Sequence, residues 1–307
     1  TAAPCAHPSF TAQHSQRMSH SHQITFLRSL SAEEQYQLAE LCRPLGQAEL
    51  QPLHAAPELH ELRLRDVGGE GAQEQAERRQ LLERLLPWAR GRSLPFYYPS
   101  SEARRPIRRV AFDLDGTLIR DELMVLLAGQ IGRAEEMQQL TEATMCGARP
   151  FRESFVARSQ LLLGLSEAEL LQPLAQLSLA PDAAELITQL QRRGLELCLI
   201  TGAYEPLAAA LGARLGIPLG CASALRMEGG RLAGLVEEDI VDAEAKARYL
   251  HAWAGQELAA TLALGDGAND IHMLSTAGHA LHYSCIAPSA PSLIHLLELL
   301  QRLTHIL

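Results

Sequence analysis

Arg108-Arg109-Val110-Ala111-Phe112-Asp113-Leu114-Asp115-Gly116-Thr117 decides the fold: an apolar run delivers two carboxylates, two residues apart, into a glycine turn. A short apolar run bounded by such a turn reads as a strand buried on both faces of a parallel sheet. Residues i and i+2 point the same way while the chain is extended, so Asp113 and Asp115 share one side. Crowded carboxylates repel, which lets one stay ionised while the other keeps a proton. That is the pairing of a nucleophile with a general acid, and an aspartate nucleophile can form an aspartyl-phosphate. In isolation, the same residues also read as a solvated acidic turn.

Downstream, the stretch from Asp121 to about Leu177 is helical in pattern, and strands then alternate with helices. Asp182–Arg193 reads as a helix stopped by Gly194, Leu195–Ile200 as a strand and Tyr204–Leu215 as a helix. Ala222–Met227 and Arg231–Val236 flank Glu228-Gly229-Gly230, a hairpin signal. Ala243–Trp253, Ile271–Ala277 and Pro291–Leu303 read as helices; Thr261–Leu264 and His279–Tyr283 read as strands. The pattern predicts an α/β fold: a Rossmann-like parallel sheet over residues 108–307, with a helical cap inserted at about 121–180.

Ligands of such sheets sit outside the carboxyl ends of the strands. Two more strand ends carry chemistry. Leu199-Ile200-Thr201-Gly202 offers a hydroxyl and free backbone N–H groups to phosphate oxygens. Gly265-Asp266-Gly267-Ala268-Asn269-Asp270 places carboxylates in a glycine-rich loop, oxygen ligands suited to a hard cation such as Mg²⁺. Lys246 lies on the helix before it; alone, it reads as a solvated charge.

Upstream, residues 23–99 read β-α-β-β-α-β, the ferredoxin-like order used by ACT-like ligand-binding domains and by many unrelated proteins. Ser31 opens the first helix, with Glu33 and Glu34 in its first turn. Residues 100–107 are polar, end in Pro106 and read as a linker, so the small α+β unit is predicted to be separable. Residues 1–22, rich in Ser, His, Gln and Ala, read as a loose tail.

The chain has 307 residues, 47% hydrophobic and 21% charged, a length suited to two domains and a composition that can bury a core. Its net charge of −9 argues against a nucleic-acid partner. No apolar run approaches the roughly 20 residues of a membrane span, and the first residues carry no apolar signal segment. The six cysteines form no CxxC pair, and His20 and His22 have no third ligand near them, so neither set reads as a metal site. The expectation is a cytoplasmic protein with reduced thiols.

Taken in order, Asp113-x-Asp115-Gly116-Thr117, then Thr201-Gly202, then Lys246, then Gly265-Asp266-Gly267-x-x-Asp270 resemble the four motifs of the haloacid dehalogenase-like hydrolases, over about Arg108 to Tyr283. Within that superfamily the chain is similar to the phosphoserine phosphatases. Glu122 stands nine residues after Asp113, Met145–Arg158 resembles their cap signature, and Glu237–Lys246 their lysine-bearing segment. Gly116 stands where those enzymes usually have Ser, and Thr201-Gly202-Ala203-Tyr204 where they usually have Ser-Gly-Gly-Phe.

The resemblance implies a Mg²⁺-dependent phosphatase that hydrolyses O-phosphoserine in serine biosynthesis. Asp113 is then the nucleophile and Asp115 the general acid and base. Asp113, the Asp115 backbone carbonyl and Asp266 hold the metal, with Asp270 behind them. Thr201, Gly202, Lys246 and Asn269 bind phosphate. Glu122, Met145, Phe151 and Arg158 form the substrate pocket, and a homodimer is a possible assembly. Two alternatives stay open: a phosphatase or phosphotransferase of the superfamily acting on another small metabolite, and a non-catalytic ligand-sensing protein.

Overall fold

The computed structural model describes residues 22–54, 56–65, 71–145 and 150–305. The tail expectation for residues 1–21 therefore lies outside the described residues. The first unit runs β1 (His22–Phe26), α1 (Ala32–Cys42), β2 (Gln47–Leu53), β3 (Ala56–Arg65), α2 (Ala72–Arg90) and β4 (Phe96–Pro99). Ser31 caps α1 through a reciprocal capping box with Glu34.

The second unit opens with β5 (Arg109–Phe112) and four cap helices, α3 (Leu123–Gln130), α4 (Ala134–Met145), α5 (Phe151–Gln160) and α6 (Glu167–Leu171). It continues through α7 (Ala183–Arg192), β6 (Glu196–Tyr204), α8 (Glu205–Leu215), β7 (Leu219–Ser223), β8 (Leu225–Glu228) and β9 (Arg231–Leu235). It closes with α9 (Ala243–Ala254), β10 (Thr261–Gly265), α10 (Ile271–Thr276), β11 (His279–His282) and α11 (Leu293–Thr304).

The nine-stranded sheet runs β2-β3-β1-β4-β11-β10-β5-β6-β7. From β11 to β7 the strands are parallel, and from β4 outward they are antiparallel. In register, Phe112 of β5 stands beside Leu264 of β10 and Leu199 of β6. The residues that follow these positions therefore emerge together at one edge of the sheet. Val110, Ala111 and Phe112 are fully buried, as a central parallel strand requires.

Two features differ from the sequence reading. The segment expected as one strand over 222–227 is two: β7 ends at Ser223 and β8 starts at Leu225. The Ser223 hydroxyl donates to Gly202 O at 2.9 Å and accepts from Val241 N at 3.0 Å, which pins the break. β8 then pairs with β9 across Gly229 and Gly230, both at positive φ (57° and 74°), as a tight two-residue hairpin turn requires.

The second difference is larger. The sheet does not stop at residues 100–107. β4 pairs antiparallel with β11 through Phe96–Pro99, and one apolar cluster joins Leu38, Leu81, Leu85 and Phe96 to Met273, Leu274 and Ala280. The expected linker is itself held: Ser100 N donates to Gly278 O at 2.8 Å and Arg104 N to Ala259 O at 2.7 Å. Arg78 of α2, fully buried, donates to Ser275 O and Ala277 O at 2.8 Å each, at the end of α10. In this structure the first unit thus covers that cluster and caps those carbonyls of the second.

Candidate active site

Strand ends build the site. Asp113 follows β5, Thr201 and Gly202 lie near the end of β6, and Asp266 follows β10. Asn269 and Asp270 sit on the short 3₁₀ turn Ala268–Asp270, and Lys246 reaches in from α9. Lys246 Nζ donates to Asp113 Oδ1 at 2.5 Å and to Asp270 Oδ1 at 2.6 Å. Asp270 Oδ2 accepts from the backbone N–H groups of Asp266 (3.1 Å) and Gly267 (3.0 Å), which locks the loop. Asp115 Oδ1 accepts from Leu123 N at 3.1 Å.

The cap closes over this edge. One small cavity, of about 40 Å³, is lined by Asp113, Asp115, Asp266, Thr201, Gly202 and Asn269 from the core and by Glu122, Phe151 and Arg158 from the cap. That is room for roughly one to three waters. Arg158, on α5, is almost fully buried; it donates to Thr141 Oγ1 at 3.3 Å and lies over the rings of Phe151 and Phe155. Met145 ends α4, and its side chain lies outside the described residues.

Met124 and Phe155 also line the cavity and were not singled out from sequence. No periodicity marked them: α3 is apolar almost throughout, and α5 mixes apolar and polar residues on every side. Arg90 was missed altogether. It stands in the last turn of α2, donates through Nε to Asp266 Oδ2 at 2.9 Å, and brings Nη2 within 3.6 Å of Glu122 Oε1.

Burial and mutual repulsion set the electrostatics. Burial first, and then the Asp270 charge, push Asp113 up to about 8 against the pull of Lys246. Burial pushes Asp266 up to about 7 although Arg90 opposes it. Burial, then the Glu122 and Asp113 charges, hold Asp115 well above the usual carboxylate range. Burial pulls the Arg158 guanidinium down.

Carboxylate oxygens of Asp113, Asp266 and Asp270 lie within 4.8 Å of one another, all three side chains buried. All-oxygen donors at that spacing, with negative charge that Lys246 and Arg90 only partly balance, fit a hard divalent cation. Gly116 keeps the approach open: it has φ +74°, and a Cβ there would collide with the Asp266 carboxylate.

A family model described as haloacid dehalogenase-like hydrolase matches residues 110–275. The chain belongs to that family. This haloacid dehalogenase-like chain is 40% identical over 178 residues to a phosphoserine phosphatase of Streptomyces coelicolor, an alignment covering 57% of this chain and 43% of that protein. It is 32% identical over 182 residues to a phosphoserine phosphatase of Streptococcus thermophilus, covering 58% and 84% respectively. The chain thus spans less than half the length of the Streptomyces relative. A solved phosphoserine phosphatase carrying a phospho-aspartyl intermediate analogue superimposes with a TM-score of 0.52 at 29% identity, over 57% of this chain and 85% of that one. Among the described residues, no helix is long and apolar enough to cross a membrane.

Proposed function

We propose that this chain hydrolyses O-phosphoserine to serine and phosphate through an aspartyl-phosphate on Asp113. The observation that carries the reading is the pairing of Asp113, fixed by Lys246 at 2.5 Å, with Asp115 two residues on, beneath a cap that presents Glu122 and Arg158 to the same small cavity. The family likeness to proteins named phosphoserine phosphatases, one of them solved with a phospho-aspartyl analogue, supports it.

An Asp113 carboxylate oxygen attacks phosphorus, and the bond from phosphorus to the serine oxygen breaks. Asp115, kept protonated by burial and by Glu122, donates its proton to the leaving serine oxygen. Asp115 then takes a proton from water, the hydroxide oxygen bonds to phosphorus, and the bond to Asp113 breaks with release of phosphate. Thr201, the Gly202 N–H, Asn269 and Lys246 hold the phosphoryl oxygens during both steps. Gly202 is suited to close backbone approach, because a Cβ there would stand 3.1 Å from Val241 O and 3.2 Å from Phe151 Cζ. Glu122 receives the substrate ammonium and Arg158 its carboxylate, with Phe151 excluding water. Asp113, the Asp115 carbonyl and Asp266, with Asp270 behind them, would hold Mg²⁺, which would supply charge neutralisation at the phosphoryl group.

The test is phosphate release from O-phosphoserine, phosphothreonine, sugar phosphates and p-nitrophenyl phosphate, with Mg²⁺ or EDTA. Phosphoserine should be preferred, EDTA should stop turnover reversibly, and Asp113→Asn should lose at least about 10³-fold in kcat while folding normally. Preference for another phosphate ester would overturn the substrate, and an active Asp113→Asn protein would overturn the mechanism.

A further inference from the structure

Arg90 belongs to the N-terminal unit by sequence and to the active site by position. Its partner Asp266 is 176 residues away and comes from the far side of the β4–β11 seam. Nothing about it resembles a surface charge that happens to lie nearby. Its side chain is four-fifths buried, and α2 is anchored along its length. Arg78 grips the carbonyl end of α10, and Leu82, Leu85, Leu86 and Ala89 are buried around it. The helix stops directly after Arg90, at Gly91. The guanidinium is therefore delivered by a rigid element, and the oxygen it engages belongs to one of the three carboxylates grouped for a cation.

A divalent cation needs a lone pair of Asp266 at close range, and a guanidinium already shares that carboxylate. Two cations on one carboxylate in a buried site repel strongly, because little water screens them. We propose that Arg90 is a resident counter-ion for the cation site: a divalent metal must displace it from Asp266, so the metal affinity of the hydrolase site is set in part by the N-terminal unit. Coupling of this kind is reciprocal. Whatever Arg90 costs the metal, the metal takes from the hold of Arg90 on the core, and the last turn of α2 loosens when the site fills. The inference rests on the proposed reading of Asp113, the Asp115 carbonyl and Asp266, with Asp270 behind them, as the cation site.

The experiment titrates Mn²⁺ into the metal-free full chain, following the free-ion EPR signal, for wild type, Arg90→Gln and Arg90→Lys. Hydrogen exchange of residues 87–92 is measured with and without Mg²⁺. Arg90→Gln should bind Mn²⁺ more tightly, within the roughly 5–150-fold range of coupled sites, with Arg90→Lys between it and wild type. Mg²⁺ should speed exchange in the last turn of α2 in wild type but not in Arg90→Gln. Equal or weaker Mn²⁺ affinity in both variants, or exchange that slows with Mg²⁺, would overturn the proposal and make Arg90 a support of the loaded site. Should Arg90→Gln fail to fold, the lysine variant and the wild-type exchange data decide alone. Failure of the underlying reading looks different: wild type would then bind no Mn²⁺, or Asp266→Asn would leave its binding unchanged.

Discussion

Replacing Arg78 by Met tests whether the two units are one cooperative body. Arg78 is among the largest fully buried side chains of the described residues, and its guanidinium closes the open carbonyl end of α10. The bonds to Ser275 O and Ala277 O are 2.8 Å long, and a third, to Tyr98 O on β4, is 3.2 Å. A hydrogen bond from a charged donor contributes about 1.5–3 kcal/mol, and the stranded buried carbonyls add their own cost. Against this, Met removes the cost of burying the cation, which shows in the lowering of the Arg78 pKa by burial. The balance is a loss of about 3 kcal/mol, or on the order of 5–10 °C in Tm for a chain of this size. Arg78→Lys, which keeps the charge but not the planar fork, should fall between. The chain has two tryptophans, Trp88 on α2 and Trp253 on α9, so Trp88→Phe and Trp253→Phe proteins each report one unit in urea. Both probes should give one coincident transition in the Arg78 background. A change under about 0.5 kcal/mol in Arg78→Met, or well-separated transitions at the two tryptophans, would refute the reasoning.

Three further outcomes follow from the same geometry. His279 accepts the Tyr97 hydroxyl at Nδ1 (2.6 Å) and meets Arg104 O through Nε2 (2.8 Å), and burial pulls it down to about 4. It is neutral when folded and charges first when unfolded, so its contribution is complete above the unfolded value near 6.5 and is lost as pH falls toward 4. The raised active-site aspartates act in the opposite sense, so wild type is compared with His279→Gln. The difference in urea stability should shrink by up to about 1.4 kcal/mol per pH unit in that window, and parallel curves would exclude the joint. Arg158→Lys should raise KM for O-phosphoserine by about 10–100-fold, a loss of a bidentate contact, with far less change on p-nitrophenyl phosphate; equal losses would assign Arg158 to structure or to the phosphate. Tyr204 on β6 donates to Ser159 Oγ on α5 at 2.8 Å, a tie between core and cap. Tyr204→Phe should cost about 1 kcal/mol of stability and speed hydrogen exchange in α5, and unchanged exchange would show that the tie does not hold the cap.

What the sequence made legible was whatever local pattern encodes. β5 is apolar without interruption because both its faces are covered, and Asp113 and Asp115 follow it because a strand end is where the chain can turn carboxylates outward. The β8–β9 hairpin was readable from two consecutive glycines, and the α1 start from Ser31 and Glu34. The joint between the units was not readable in the same way. A polar stretch ending in proline has linker composition whether or not its N–H groups find partners, and those partners, Gly278 and Ala259, lie more than 150 residues away. The two arginines of α2 show the limit more sharply. Arg90 sits in the last helical turn, where a cation is favoured by the helix dipole, so its position had a sufficient local reason that concealed the distant one. Arg78 did carry a signal: it falls in the stripe Glu74, Arg78, Leu81, Leu82, Leu85, Ala89, all buried. A charge on an apolar stripe must be matched by polar atoms from elsewhere, because burying it unpaired is prohibitive. Glu74 and Arg78 both interrupt that stripe: Glu74 accepts from Ser101, and Arg78 donates to the carbonyls at the end of α10. The same docking brings the end of α2 to Asp266, so the residue that betrays the joint and the residue that enters the active site are consequences of a single packing event.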